Sequence, residues 1–176
     1  NDIKKHPVTS SVENISDFLP GKYAAEKYSS LINSINDCLY SKDIQAPKFV
    51  VIHNFMPHFP FCFDENGNIK ENLDMNSIQA YPGHHAYAGK TLIKIADMIL
   101  KADPDAVIVF LGDHGLHEQT AGQITEAFDD KEAKAAVWNS VFCAVRIPEQ
   151  YKNGDEQYIE RTPLNISRYL VNSYVG

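Results

Sequence analysis

The chain has 176 residues, of which 44% are hydrophobic and 22% charged, enough for one globular core and ordinary for a folded domain. Its formal net charge of −7 excludes nucleic acid or an anionic membrane surface as the main partner, because both demand a basic face. Three cysteines without paired spacing make no disulfide framework, and no apolar run nears the roughly 20 residues that span a bilayer.

Residues 1–21, with His6-Pro7, Thr9-Ser10-Ser11 and Leu19-Pro20-Gly21, are expected to form a connecting segment or lid ahead of a single domain over 22–176. A helix is predicted from Lys22 to Tyr40, since Tyr28, Leu31, Ile32, Ile35, Cys38 and Leu39 fall at three- and four-residue steps. That stripe is expected to pack on a sheet.

Phe49-Val50-Val51-Ile52 then predicts a strand, which runs into His53-Asn54-Phe55-Met56-Pro57-His58-Phe59-Pro60-Phe61. Pro57 and Pro60 bracket His58, fix their own φ angles and restrict the residues before them, so His58 is expected on a stiff loop and is a candidate ligand. His53 is either a substrate contact or a strand-end histidine with a backbone partner. The acidic and amide-rich stretch from Asp64 to Asn76, containing Asn66-Gly67, predicts a solvated loop, and its carboxylates lack EF-hand spacing.

A second helix is expected from Tyr81 or Gly83 to Lys101, stopped by Asp103-Pro104-Asp105. His84 and His85 near its start point in different directions on a helix, so both are expected in solvent or a substrate loop rather than on one ion. The run Ala106-Val107-Ile108-Val109-Phe110-Leu111 predicts a fully buried parallel strand and ends in Gly112-Asp113-His114-Gly115. A carboxylate beside an imidazole suits Zn²⁺ or Mn²⁺, and flanking glycines let a backbone turn sharply and approach a ligand. Val141 to Val145 predicts a third strand, terminated by Pro148, and Thr162-Pro163 predicts the start of a last helix. Three buried strands alternating with helices predict an α/β fold, a three-layer α/β/α sandwich with a mostly parallel sheet.

Several of these motifs together resemble the sulfatase-like branch of the alkaline phosphatase superfamily. The resemblance lies in Lys48 to His53, in Pro57-His58-Phe59-Pro60-Phe61 with Phe63-Asp64-Glu65-Asn66-Gly67-Asn68, in Ile108 to Gly115, and in the tail from Thr162 to Asn172. It implies an alkaline-phosphatase-like domain of which this chain is the carboxyl-terminal half, as in large bacterial membrane-anchored members. It also implies that Asp113 and His114 bind a catalytic divalent metal (Zn, Mn, Ca or Mg), and that His58 contacts the transferred phosphate or sulfate, as in lipoteichoic-acid-synthase-like and phosphoethanolamine-transferase-like proteins. His117 is the nearest candidate for a later substrate-contacting or second-metal histidine.

The implied substrate is an anionic sulfate or phosphate ester, such as a lipid headgroup or cell-surface glycan. The family also needs an early acidic ligand and a Thr, Ser or modified Cys nucleophile at a helix N-terminus, and neither is visible here. Cys62 lacks the Cys-x-Pro-x-Arg context of a formylglycine, while Cys38 on a helix and Cys143 in an apolar strand fit small buried hydrophobes. The nucleophile, the remaining ligands and any membrane anchor or export signal are therefore expected upstream, in the other half of the same domain, with the catalytic domain extracytoplasmic. Two other readings stand beside this one: a non-catalytic α/β binding module, and a stand-alone metal-dependent phosphoesterase in which His53, His58, Asp113 and His114 converge on one ion.

Overall fold

The computed structural model describes residues 21–43, 48–70, 77–116, 131–152, 154 and 164–175. Four α-helices and one two-stranded sheet frame the described architecture: α1 (Gly21–Tyr40), α2 (Tyr81–Ala102), β1 (Ile108–Leu111), α3 (Lys131–Asn139), β2 (Cys143–Arg146) and α4 (Leu164–Leu170), with short 3₁₀ turns at Ile78–Ala80 and Glu149–Tyr151 and a π turn at Val171–Val175. Of the segment expected over residues 1–21, residues 1–20 lie outside the described residues and Gly21 opens α1; His117 and the Thr162-Pro163 helix start also lie outside them.

Helix α1 forms where its apolar stripe predicts, with Ile35 buried and Tyr28, Leu31, Ile32, Cys38 and Leu39 half-buried on the same side. The stripe packs on α2 rather than on a sheet, and Tyr28 meets Tyr87 edge-on with ring centroids 5.8 Å apart. Helix α2 begins at Tyr81 with proline in its first turn, a position that needs no N–H donor, and Asp103 ends it by donating its backbone N–H to Ile99 O. Its buried positions, His84, Ala88, Thr91 and Ile95, follow one another at steps of four, three and four and so line one face.

The mostly parallel three-layer α/β/α sandwich is not what forms. The sheet has two strands, β1 and β2, paired antiparallel in the register Ile108↔Arg146 to Leu111↔Cys143. A parallel sheet needs apolar cover on both faces, whereas β1 buries Ile108 alone and leaves Leu111 half-exposed. An antiparallel pair tolerates one wet face. Cover on the other face comes from α4, whose buried Ile166 and Tyr169 pack against Val109, Val145 and Ile147.

Arg146 fixes this pairing from the strand end. Its guanidinium donates to Ala106 O at 2.6 Å and Pro104 O at 2.9 Å, tying the α2–β1 connection to β2, and Gln150 Nε2 donates to Asp105 Oδ1 at 2.7 Å. Cys143 is exposed on β2, not a buried hydrophobe.

The predicted strand Phe49–Ile52 does not form and pairs with no strand among the described residues, leaving Phe49 87% and Val51 72% exposed. Its entry is tied to a helix end instead of a sheet edge. Lys48 Nζ donates to Cys38 O, Leu39 O and Ser41 O at 3.1–3.3 Å, where α1 leaves carbonyls without intrahelical partners and the helix dipole favours a cation.

After Phe63 the chain makes a small hairpin around an isolated Phe63↔Ile69 bridge. Asp64 organises it, accepting the Asn66 and Asn68 backbone N–H groups and the Asn68 side-chain amide, all at 2.8 Å. The Asn68 side-chain bond, more than any other contact, holds the Asp64 carboxyl below the usual carboxylate range. Gly67 adopts φ +85° beneath the Tyr87 ring, so a Cβ there meets that ring as well as the steric penalty of the left-handed region. Gly67→Ala is expected to lower stability by about 1–2 kcal/mol, measured by urea denaturation against wild type, and an unchanged midpoint would contradict the role assigned to this glycine.

Candidate functional site

The segment carrying His58 is a compact turn built by its own backbone. Asn54 Oδ1 accepts the Met56 N–H at 3.2 Å, His58 N–H donates to Phe55 O at 2.7 Å, and Cys62 N–H donates to Pro60 O at 2.9 Å. The Met56-Pro57 and Phe59-Pro60 peptide bonds are both cis. Phe55 stands between the two histidines of the segment, 4.7 Å from the His53 ring and 6.5 Å from the His58 ring, while Phe59 stacks on His58 at 4.3 Å.

His58 is exposed, and its Nδ1 lies 2.7 Å from Phe59 O. A carbonyl accepts but cannot donate, so Nδ1 carries the proton and Nε2 is left with the lone pair. That is the tautomer of an imidazole used as a ligand through Nε2, with its other N–H held by a backbone carbonyl.

Behind this turn Phe61, Cys62 and Phe63 are buried to within 1–2% of complete, against the first turns of α2. The Cys62 thiol donates to Pro60 O at 3.1 Å and burial pushes its pKa up, which removes it as a thiolate nucleophile. The centre of the cluster is His84, only 2% exposed. Phe63 stacks on its ring with an interplanar angle of 2° and centroids 5.7 Å apart, and Phe61 lies at 5.8 Å.

The Phe63 backbone N–H donates to His84 Nδ1 at 3.3 Å. Nε2 therefore bears the proton, and it is buried without a hydrogen-bond partner of normal geometry. Burial lowers the His84 pKa to about 4; the nearby His58 backbone opposes that shift, and the His85 and Lys70 charges add to it.

The buried, neutral His84 departs from the solvent or substrate-loop position expected for it. The signal was present in the sequence: residue 84 heads the same stripe as Ala88, Thr91 and Ile95, whereas its neighbour His85 is exposed.

Asp113 and His114 stand just beyond the exit of β1. His114 Nδ1 lies 2.7 Å from Gly115 O, so this imidazole too is held as the Nδ1–H tautomer with Nε2 as acceptor. The His114 backbone N–H donates to Asp113 Oδ1 at 3.0 Å, and His114 Nε2 lies 3.8 Å from the same oxygen. Both side chains are open to solvent, at 47% for His114 and 91% for Asp113.

The turn is held by backbone ties on either side. Gly112 N–H donates to Phe142 O, while Gly115 N–H and Leu116 N–H donate to Trp138 O and Val137 O near the end of α3. Gly115 is needed for that docking, because a Cβ would collide with the Val137 and Trp138 carbonyls. The close approach expected of a glycine here is made to a helix end, not to a ligand.

The candidate residues thus form two groups. His53 and His58 share one turn through Phe55, and Asp113 and His114 share another; no hydrogen bond, ion pair or ring contact among the described residues joins the two. No group of three or more His, Cys, Asp or Glu that could hold a metal occurs among the described residues. Asp113 and His114 fit Zn²⁺ or Mn²⁺ in donor type and tautomer, and supply two of the roughly four ligands such an ion takes. Comparison with protein-family models, curated proteins and solved structures gave no match.

Because the folded-state pKa of His84 lies below its unfolded value of 6.5, the unfolded chain binds a proton first on acidification. The stabilising contribution is complete above pH 6.5 and is lost as pH falls through about 4, on the order of 3 kcal/mol in all. The stability difference between wild type and His84→Phe is expected to shift in favour of the variant across that window in denaturant titrations, and a difference independent of pH would contradict a neutral buried His84.

Proposed function

We propose that this chain contributes to a metal-dependent sulfatase-like hydrolase or phospho-headgroup transferase acting on sulfate or phosphate esters. The observation that carries this reading is shared by the two turns. His58 and His114, both exposed, each have Nδ1 2.7 Å from the carbonyl of the next residue, which holds Nε2 as a lone-pair donor toward solvent. In the same reading Asp113 and His114 hold the metal, and His58 faces the transferred group.

When bound, a divalent metal supplies Lewis-acid stabilisation of the negative charge that develops on the phosphoryl or sulfuryl oxygens. His58 acts through Nε2, which accepts a proton or, once protonated, donates to an ester oxygen, while Phe59 O accepts the Nδ1–H in either state. His53, separated from His58 by Phe55, is assigned to the substrate side of the same turn.

The nucleophile, an acidic ligand and the remaining coordination come from outside the described residues. No described helix is long and apolar enough to cross a membrane. A membrane anchor and an extracytoplasmic catalytic domain belong to this proposal through the family resemblance of the motifs.

Titration of the chain with Zn²⁺ and with Mn²⁺ by calorimetry is expected to show weak binding that Asp113→Ala and His114→Ala each weaken tenfold or more. Binding unaffected by either substitution would remove the pair from the metal site. Turnover of aryl phosphate and aryl sulfate by the chain alone is expected to be negligible; robust hydrolysis abolished by Asp113→Ala would show a complete site within these residues and overturn the division of the centre.

A further inference from the structure

We infer that His84 is a positioning residue for His58, an assignment that rests on the reading of His58 as the group facing the transferred phosphoryl or sulfuryl moiety. His84 belongs to α2, the longest helix described, whereas His58 sits on an irregular turn with no regular secondary structure of its own. The imidazole of His84 joins the two. At Nδ1 it accepts the Phe63 N–H, at the end of the turn, and its ring packs with those of Phe61 and Phe63, the residues through which the chain leaves His58.

The ring cannot serve that amide in any other orientation. Phe63 covers it with parallel planes and Phe61 flanks it, so rotation needs the aromatic cluster to open. A ring flipped by 180° would withdraw Nδ1 from the Phe63 amide and leave a buried N–H without an acceptor. Protonation would give that amide a donor to face instead of an acceptor, and burial opposes it.

Packing alone does not account for a histidine here. A phenylalanine would fill the space between Phe61 and Phe63 without burying an unpartnered Nε2–H, a group whose desolvation counts against the folded state. What the imidazole adds is direction: a fixed acceptor for the Phe63 amide, referenced to a rigid helix. The direction of the His58 imidazole then follows from α2, because its own Nδ1–H is tied to the adjacent Phe59 carbonyl of the same turn.

The test is histidine-selective ¹⁵N NMR on the whole chain at pH 7, with inorganic phosphate as the probe. In wild type, His84 is expected as the Nε2–H tautomer and His58 as the Nδ1–H tautomer, with phosphate shifting the His58 resonances. In His84→Phe, His58 is expected to become a mixture of tautomers and its phosphate affinity to fall at least fivefold. His84→Asn, whose Oδ1 replaces the Nδ1 acceptor, is expected to recover much of both. A folded His84→Phe protein with unchanged His58 tautomer and phosphate response would overturn the assignment.

Should His84→Phe not fold, the wild-type spectrum decides, because an Nδ1–H tautomer at His84 would also overturn it. A wild-type His58 blind to phosphate would count against His58 as the anion-facing group, and the tautomer comparison would still judge His84 independently.

Discussion

The neutral imidazole of His84, pressed between Phe61 and Phe63 on the first turns of α2, is the contact on which the arrangement of the His58 turn depends. Residues 48–63 contribute no strand to a sheet, so their backbone polar groups and apolar side chains have to be anchored by other means. At the entry, Lys48 binds the carbonyl end of α1; at the exit, Phe63 binds His84. Between these anchors the chain closes on itself through the Asn54, Phe55 and Pro60 acceptors. A protonated His84 could not accept the Phe63 amide, which is why burial strong enough to bring its pKa to about 4 is structurally useful.

The Asp113–His114 turn solves the same problem chiefly with backbone contacts. Its amides go to Phe142, Trp138 and Val137, and Arg146 pins the far end of β1 by capturing the Pro104 and Ala106 carbonyls. Neither carboxylate nor imidazole is used up in holding the turn together, apart from the local bonds to the His114 amide and the Gly115 carbonyl. Both turns therefore leave their chemistry-bearing atoms on the outside. Anchoring through main chain and glycine, with the polar side chains left free, is what the proposed centre, completed by further residues, would require.

Legibility from sequence followed the range of the interaction responsible. Helices α1 and α2 were legible because their stripes and the Asp103-Pro104-Asp105 stop act within a few residues. The sites of the two exposed histidine turns were legible as the ends of apolar runs. The sheet was not, because Phe49-Val50-Val51-Ile52 states that four side chains are apolar and says nothing about whether a neighbouring strand exists to cover them; in the structure Phe49 and Val51 lie in solvent. Likewise, the apolar run ending at Leu111 did not encode the direction of its partner, which is set by β2 returning alongside under the Arg146 clasp.

Gly115 illustrates the limit most clearly, since its need for a hydrogen in place of a side chain arises from α3, a remote element that no local spacing reveals. His84 is the opposite case, a buried position whose four-three-four spacing was legible and was masked by the adjacent exposed His85.

The measurement that bears most directly on the His84 anchor is amide hydrogen exchange at Phe63, compared with the nearby Glu65 amide and with α2. A Phe63 N–H held by a buried imidazole nitrogen should exchange slowly at neutral pH, on the scale of the α2 interior, and should speed up as His84 is protonated near pH 4 after correction for intrinsic rates. Exchange at Phe63 as fast as at Glu65 under neutral conditions would contradict the account, because the His58 turn would then have no fixed attachment to the helix behind it.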